Sequence, residues 1–161
     1  MTTVAFKDGV MASDSRSVSE AIGICAPCKK IYTVLVGKKK KPYLVGFAGH
    51  NSSCMMFLEW FKSRDEALRT RILTHCGNDK GFHAMIWDGK KLYDADELCV
   101  VEVVDDEYYA IGSGAAHAIT AMDCGKSAVE AVRFAIKRDI NTGGRVVAVR
   151  LNDDDDKTKL P

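Results

Sequence analysis

The first fifty residues alternate short hydrophobic runs with polar turns, a pattern typical of β-strands. TTVAF and GVMAS flank Lys7-Asp8 and predict a tight hairpin in which Gly9 supplies an unusual backbone angle. KKIYTVLV and PYLVGFAG predict two further strands. The segment GKKKK between them concentrates like charges, which marks a solvated loop tip and, less readily, a surface for a polyanion.

From residue 51 the spacing of the apolar residues changes to that of a helix. In NSSCMMFLEWFKSRDEALRTRILTHC they recur at helical intervals, and Asn51 or Ser52 is the expected N-cap. GFHAMIWDGKKLYDADELCVVEVVDDEYYAIGSG predicts strands again, with a turn at Asp88-Gly89. AAHAITAMDCG and KSAVEAVRFAIKRDI predict two helices separated at Gly125, and GGRVVAVRL predicts a closing strand.

This order of strands, helices, strands, helices and a final strand fits two central sheets with helical layers outside them. At 161 residues we expect a single domain, covering residues 1–151, which is large enough to bury a hydrophobic core. Residues 152–161 are polar and acidic and are predicted to form a disordered tail, whose DDDDK string resembles a protease-recognition sequence.

Composition and charge exclude several classes of protein. Hydrophobic residues make up 47% and charged residues 28% of the chain, as in ordinary globular proteins, and a net charge of +1 gives no basis for a nucleic-acid or membrane partner. The sequence has no apolar run of membrane-spanning length, and Lys7 and Asp8 argue against a secretory signal. We therefore expect a cytoplasmic protein.

The six cysteines are expected to be thiols in a reducing compartment. Cys25 and Cys28 have the C-x-x-C spacing of a redox pair or half a zinc site. A redox pair should open a helix, whereas this one runs directly into a strand, and His75 and Cys76 are adjacent rather than spaced as a second zinc pair. The structural interpretation is favoured, with no metal predicted.

The two threonines that follow Met1 allow two interpretations. They can simply begin a strand, since threonine is β-branched. Alternatively, removal of Met1 frees the α-amino group of Thr2, which titrates near about 7.7–8.0 and can act as the base for the Thr2 hydroxyl. A buried cation would keep that amine neutral and would itself need a carboxylate. Asp14 at the end of the second strand and Lys30 at the start of the third could form this pair, although each alone also fits a surface charge.

Six motifs in order extend this pattern along the chain. TTVAFKDGVMASDSRS, KKIY, GFAGH, IGSGAAHA, MDCGKSAVEAVRFAI and RDINTGG together closely resemble the proteasome β-subunit family, including the bacterial HslV-type peptidase. The resemblance runs from Thr2 to about Leu151. It implies an α+β fold, the four-layer αββα sandwich of N-terminal-nucleophile hydrolases.

The resemblance implies a role for each matching residue. Thr2 matches the nucleophile, Asp14 the acid that holds the catalytic lysine, and Lys30 that lysine. Gly49 in FAGH matches the glycine whose N–H donates to the oxyanion.

Three further positions match the group around the threonine amine. Ser113 in GSG corresponds to the serine beside that amine. Asp139 and Thr142 in RDINTGG match an Asp and a Ser, so the threonine is a departure that keeps the hydroxyl.

Other positions concern substrate binding. His50 stands where the family commonly has a second glycine, so it either tunes the substrate channel or is a half-exposed loop residue. Phe47 falls at the pocket for the residue before the cleaved bond and is expected to make it shallow; Ser17, Cys28 and Asn51 are weaker candidates for the same wall. The chain ends after RVVAVRL, so the last strand and helix of longer relatives are expected to be missing.

The expected function is that of a threonine-type endopeptidase that cleaves peptide bonds through an ester on Thr2, without metal or cofactor. The resemblance implies polypeptide substrates, a homo-oligomeric ring and an ATP-dependent unfoldase as a possible partner. Two alternatives remain open: a ring-forming structural or regulatory relative without activity, and a small-molecule amidohydrolase with the same N-terminal chemistry.

Overall fold

The structure, a computed structural model, describes residues 2–19, 23–25, 27–77 and 80–151. Met1 and the predicted tail at 152–161 lie outside the described residues. The element order is β1 (Thr3–Lys7), β2 (Val10–Ser13), β3 (Ser17–Ser19), β4 (Gly23–Cys25), β5 (Ile31–Val36), β6 (Lys41–Gly49), α1 (Asn51–Ser63), α2 (Glu66–Cys76), β7 (Phe82–Trp87), β8 (Leu92–Asp96), β9 (Val101–Val104), β10 (Tyr108–Gly112), α3 (Ala115–Asp123), α4 (Ala128–Ile136) and β11 (Val147–Arg150).

The described strands form two main antiparallel sheets. The four-stranded sheet has the order β10-β1-β2-β11, so the first strand lies at its centre, paired with β2 and with the distant β10. The five-stranded sheet is a simple meander, β5-β6-β7-β8-β9. Strands β3 and β4 form a separate pair.

Three hydrophobic clusters hold these elements together. One lies between α1, α2 and the five-stranded sheet, and includes Phe47, Phe57 and Ile86. A second lies between the two sheets, and a third between the four-stranded sheet and α3 and α4. Side chains on β1 alternate between the last two clusters, with Val4 facing the other sheet and Ala5 facing the helices, as the twofold period of a strand requires.

The predicted hairpin at the start of the chain is confirmed. Strands β1 and β2 pair from Val4↔Ser13 to Lys7↔Val10, and the turn places both Asp8 (φ 52°) and Gly9 (φ 74°) in the left-handed region. This is the geometry of a two-residue turn whose twist matches that of the flanking strands. Asp is one of the few residues besides glycine that adopt this conformation, and Gly9 adopts it freely because it has no Cβ.

The stretch predicted as helical over residues 51–76 is two helices. Arg64 is left-handed (φ 58°) and ends α1, and the Asp65 side chain accepts a hydrogen bond from the Ala67 N–H (2.9 Å) to start α2. The predicted N-cap is wrong by one residue, since His50 is the cap and has no side-chain capping bond. Apolar periodicity continues across the break and therefore does not reveal it.

The remaining predicted strands and helices are confirmed, with small shifts of their ends. The short strands β3 and β4 were not predicted from the sequence. Asp14 follows β2 directly and Lys30 precedes β5 directly, so each lies just outside the strand to which the sequence assigned it. None of the helices within the described residues is long and apolar enough to span a membrane.

Candidate active site

Asp14 is the buried centre of the first polar group, which forms where β2 ends. The residue has no exposed surface, and four donors surround its carboxylate. Oδ1 accepts from the Lys30 ammonium (2.8 Å) and the Thr3 N–H (2.9 Å). Oδ2 accepts from the N–H groups of Arg16 (3.1 Å) and Gly143 (3.0 Å). A carboxylate held from all sides in this way has one orientation, so it also fixes the position of Lys30.

Lys30 is the cation that this carboxylate holds. It is only 6% exposed. Burial lowers the pKa of its ammonium below the ordinary value of 10.5, and the hydrogen bond and charge of Asp14 oppose that shift without cancelling it. The group therefore gives up a proton more readily than a surface lysine.

A second polar group lies in the turn after α4 and is centred on Asp139. Its Oδ2 accepts from the hydroxyls of Ser113 (2.6 Å) and Thr142 (2.5 Å), and its Oδ1 from the Asn141 N–H (3.0 Å). Burial is the largest influence on the pKa of Asp139 and raises it, but the hydrogen bonds together hold the pKa below 3.8. Asp139 is therefore an anion that orients both hydroxyls.

Thr3 joins the two groups, and the sequence did not single it out. Its N–H donates to Asp14, and its Oγ1 lies 2.6 Å from the Thr142 Oγ1. Thr3 is fully buried, and the missing side chain of Gly114 makes room for its hydroxyl. The sequence does contain an indication of this role. Thr3 is a hydroxyl residue in an otherwise apolar strand, and a buried hydroxyl needs a hydrogen-bond partner.

Thr2 directly precedes Thr3, which joins the two groups, and is 6% exposed. The Ser113 Oγ is 3.5 Å from its carbonyl oxygen. Gly112 has φ +97°, and a Cβ there would collide with the Thr2 carbonyl. The close approach of β10 to the start of the chain therefore requires glycine at this position.

Thr2 faces a cavity of about 980 Å³ at one end of the space between the two sheets. Its lining consists of Thr2, residues 112–113 at the end of β10, Val18 on β3, and residues 48–50, 81–83 and 96–98 at the ends of β6, β7 and β8. Gly49 has φ +116°, and a Cβ there would lie 2.6 Å from the Gly81 carbonyl oxygen. Only glycine lets the backbone turn at this edge of the cavity.

Of the predicted substrate-binding residues, the described cavity lining includes His50 alone. Phe47 points to the opposite face of β6, where its ring packs against Phe57 (5.9 Å) and Phe82 (6.4 Å) in the core. It is 4% exposed and does not set the depth of this cavity.

The three weaker candidates also lie elsewhere. Ser17 is on β3, where its neighbour Val18 lines the cavity instead. The Cys28 N–H donates to the Ser15 carbonyl (2.9 Å), and Asn51 is exposed in the first turn of α1.

A titratable cluster that the sequence did not indicate lies on the five-stranded side of the cavity. The His83 Nε2 is 2.7 Å from the Asp94 Oδ2, and this bond raises the pKa of His83 above 6.5. Burial and the charge of Asp94 raise the pKa of Tyr109, which reaches across from β10. Asp96 and Glu97 lie beside this cluster in the cavity lining.

Metal-binding geometry is not present among the described residues, which contain no group of three or more His, Cys, Asp or Glu placed to hold an ion. Cys25 lies in β4, Ala26 of the C-x-x-C motif is outside the described residues, and Cys28 is a free thiol. His75 instead bonds to Ser52 (2.8 Å), which also bonds to the His50 Nδ1 (2.9 Å).

Comparison with known proteins gives a fold but no family. No family model matches the chain, and no curated protein matches it significantly. Solved structures do match: 371 chains resemble this fold. One is the crystal structure of eukaryotic HslV from Trypanosoma brucei, which is 14% identical, with a TM-score of 0.62 over 92% of this chain and 97% of that chain. At this identity the likeness establishes an HslV-like fold and nothing finer.

Proposed function

We propose that this chain is an N-terminal threonine hydrolase of the proteasome-like type, a threonine-type endopeptidase built on one domain over residues 1–151. The four layers would be the αββα sandwich of such enzymes. One observation carries the proposal: the Lys30–Asp14 pair and the Asp139–Ser113 group converge on the Thr2–Thr3 segment at a cavity. Six motifs, found in order in the sequence, and the HslV-like fold agree with it.

In the proposed reaction, removal of Met1 leaves Thr2 with a free α-amino group. The Thr2 hydroxyl attacks the carbonyl carbon of the substrate and passes its proton to that amine. The Gly49 N–H donates to the oxygen that gains negative charge. The amine then gives the proton to the departing nitrogen, the C–N bond breaks, and an ester on Thr2 remains. Water cleaves the ester by the same proton path and restores the hydroxyl.

The surrounding groups keep the amine in its neutral form, which can accept a proton. The charge of Lys30 favours the neutral amine, and Asp14 keeps that cation in place. Ser113, oriented by Asp139, is the group that would hold the amine. Hydrogen bonds therefore hold the side chains of Lys30 and Ser113, which would act on the amine, before substrate arrives.

The assembly and partners are part of the same proposal. The HslV-like fold and the motifs support a homo-oligomeric ring that acts on polypeptides in the cytoplasm, with an ATP-dependent unfoldase as a candidate partner. Analytical ultracentrifugation of the full chain tests the ring, since a monomer at micromolar concentration would contradict it.

Intact-mass measurement tests the reaction centre. We expect the natively expressed protein to lack Met1 and to gain one covalent adduct on treatment with a threonine-directed epoxyketone or β-lactone, and peptide mapping should place the adduct on Thr2. Thr2→Ala should gain none, while Thr120→Ala, which changes an exposed hydroxyl on α3, should react like the parent. A full-length mass without an adduct would contradict the proposal and favour the inactive, ring-forming alternative.

A further inference from the structure

The charge of the cavity lining is asymmetric. Among the described lining residues, two carry carboxylates, Asp96 and Glu97, and none is Lys or Arg. His83 can add a positive charge, but its ring is bonded to Asp94 on the adjacent strand. A ligand entering this cavity therefore meets net negative charge on the side of the five-stranded sheet.

Glu97 is held at that side by the turn after β8. The Asp96 Oδ1 accepts from the N–H groups of Leu98 (2.9 Å) and Val100 (3.4 Å), and the Cys99 N–H donates to the Asp96 carbonyl (3.0 Å). The hydrogen bonds of Asp96 therefore stabilise the turn. Glu97 has no hydrogen-bond or ion-pair partner among the described residues, and its carboxylate is available to a ligand.

The Glu97 carboxylate rests directly against Gly81. It occupies the space where a Cβ at position 81 would lie. The carbonyl of Gly81 accepts the His50 N–H (3.0 Å) and faces Gly49, the proposed oxyanion donor. The carboxylate is therefore packed on the backbone segment that borders the proposed cleavage position.

We propose that Glu97 is a specificity-determining residue that selects a lysine or arginine side chain next to the cleaved bond. This inference rests on the proposed function, since it names the substrate class of the same cavity. A charge-assisted hydrogen bond to a carboxylate without a competing partner discriminates strongly against apolar and acidic side chains in the same place. We expect a preference of about tenfold for Lys over Leu at the responsive position.

Internally quenched peptides test the inference. They share one sequence and carry Lys, Leu or Glu at each position flanking the cleaved bond in turn, and kcat/KM is measured for each. In Glu97→Gln the preference for Lys over Leu should fall about tenfold, and in Glu97→Lys the peptide with Glu should become the better substrate. Glu102→Gln, an exposed acid on β9 outside the described lining, is the matched control and should keep the parent preference.

Gly81→Ala gives a second, independent test. Its Cβ would displace the Glu97 carboxylate without removing the charge, so the preference for Lys should fall as in Glu97→Gln. Gly77→Ala is the control for a glycine substitution, because a Cβ there makes only ordinary contacts of 3.6 Å and longer.

Adduct formation at Thr2 distinguishes a wrong inference about Glu97 from a wrong proposed function. If the epoxyketone adduct forms and the ratio of Lys to Leu cleavage is the same in the parent and in both Glu97 variants, the inference about Glu97 is wrong and the proposed function stands. If neither adduct nor cleavage is found in the parent, the proposed function is wrong and the inference falls with it.

Discussion

Thr3, the neighbour of Thr2, connects the two polar groups of the site. It contacts Asp14 through its backbone and Thr142 through its hydroxyl, and these two contacts join the lysine–aspartate pair to the aspartate–serine group. Since Asp14 is held by residues on three other segments, the start of the chain is fixed relative to all of them. We therefore infer that Thr3 would position Thr2 for the proposed reaction.

Replacing Thr3 by Val tests this link, because Val keeps the shape of the side chain and removes the hydroxyl. We expect Thr3→Val to lower the free energy of unfolding by about 1–2 kcal/mol, the cost of leaving a buried hydrogen bond unmade, and to slow adduct formation at Thr2. Thr3→Ser keeps the hydroxyl and should recover most of the adduct rate. Urea unfolding and adduct kinetics measure both effects, and equal rates in the Val and Ser variants would contradict the role.

The sequence could identify residues that lie in recognisable motifs, but not every contact that the fold makes between distant residues. The sequence suggested that Asp14 and Lys30 meet because both lie near the start of the chain beside strand ends, and their side chains are in contact at 2.8 Å. The Thr3–Thr142 contact joins residues 139 positions apart, and nothing local to either predicts it. The same holds for the contact between Glu97 and Gly81, on which the proposed role of Glu97 depends.

At the scale of elements, the shape of the site depends on the ends of the strands. Two glycines there allow the effect of backbone strain to be distinguished from the effect of a steric collision. Gly9 and Gly112 both have positive φ, but a Cβ at Gly9 meets open space and one at Gly112 meets the Thr2 carbonyl. We expect Gly9→Ala to cost about 1–2 kcal/mol of stability, the strain of the left-handed backbone, and to leave the adduct rate unchanged. Gly112→Ala should cost more and also abolish the adduct. Thermal unfolding and intact mass distinguish the outcomes, and equal effects would contradict the close approach.

The pairing of β7 with β8 should make stability depend on pH through His83. The bond to Asp94 raises the pKa of His83 above 6.5, so its stabilising effect is complete below 6.5 and is lost as pH rises through the raised value. As pH rises above 6.5, the parent should therefore lose more stability than His83→Gln, whose amide does not titrate. Urea unfolding at several pH values measures this, with His117→Gln on α3 as control. Parallel pH profiles for the parent and His83→Gln would show that the pair contributes nothing.

The type of an element was predictable where the pattern of polar and apolar residues is long. It was less predictable where the conformation of one or a few backbone residues determines where an element begins or ends. The strand pairs of the five-stranded sheet follow from their alternation and turns. The break between α1 and α2 depends on a left-handed Arg64, a conformation that most such breaks reserve for glycine, so the sequence gives no warning. Strands β3 and β4 have three residues each, too few for a period to appear.

For the whole molecule, the separation of the two sheets sets the width of the cavity. The cluster between them is built from large side chains on both sides, among them Met11, Leu44 and Met85, all fully buried. Thr2 belongs to one sheet, and Gly49, His83 and Glu97 lie at the edge of the other. The packing of the whole domain therefore determines the distance between the proposed nucleophile and the groups that would act on the substrate.

Gly46 lies on β6 at a place where side chains of the other sheet leave no room for a Cβ. A Cβ there would lie 2.7 Å from the Met11 sulfur and 2.8 Å from the Val4 Cγ1. Met11 is flexible and can move aside, but Val4 is a stiff side chain on β1, two residues after Thr2. Gly46→Ala should therefore cost about 1–3 kcal/mol through overpacking and should also shift β1.

The rate of adduct formation distinguishes a shift of β1 in Gly46→Ala from a simple loss of stability. We expect Gly46→Ala to slow the reaction of Thr2 with an epoxyketone even under conditions where the variant is fully folded. Adding Val4→Ala removes the colliding methyl groups, so the double variant should regain adduct rate although it loses buried apolar surface. A double variant that is no faster than Gly46→Ala would mean that the sheets transmit no displacement to Thr2, because relief of the collision would then fail to restore the rate at the cavity.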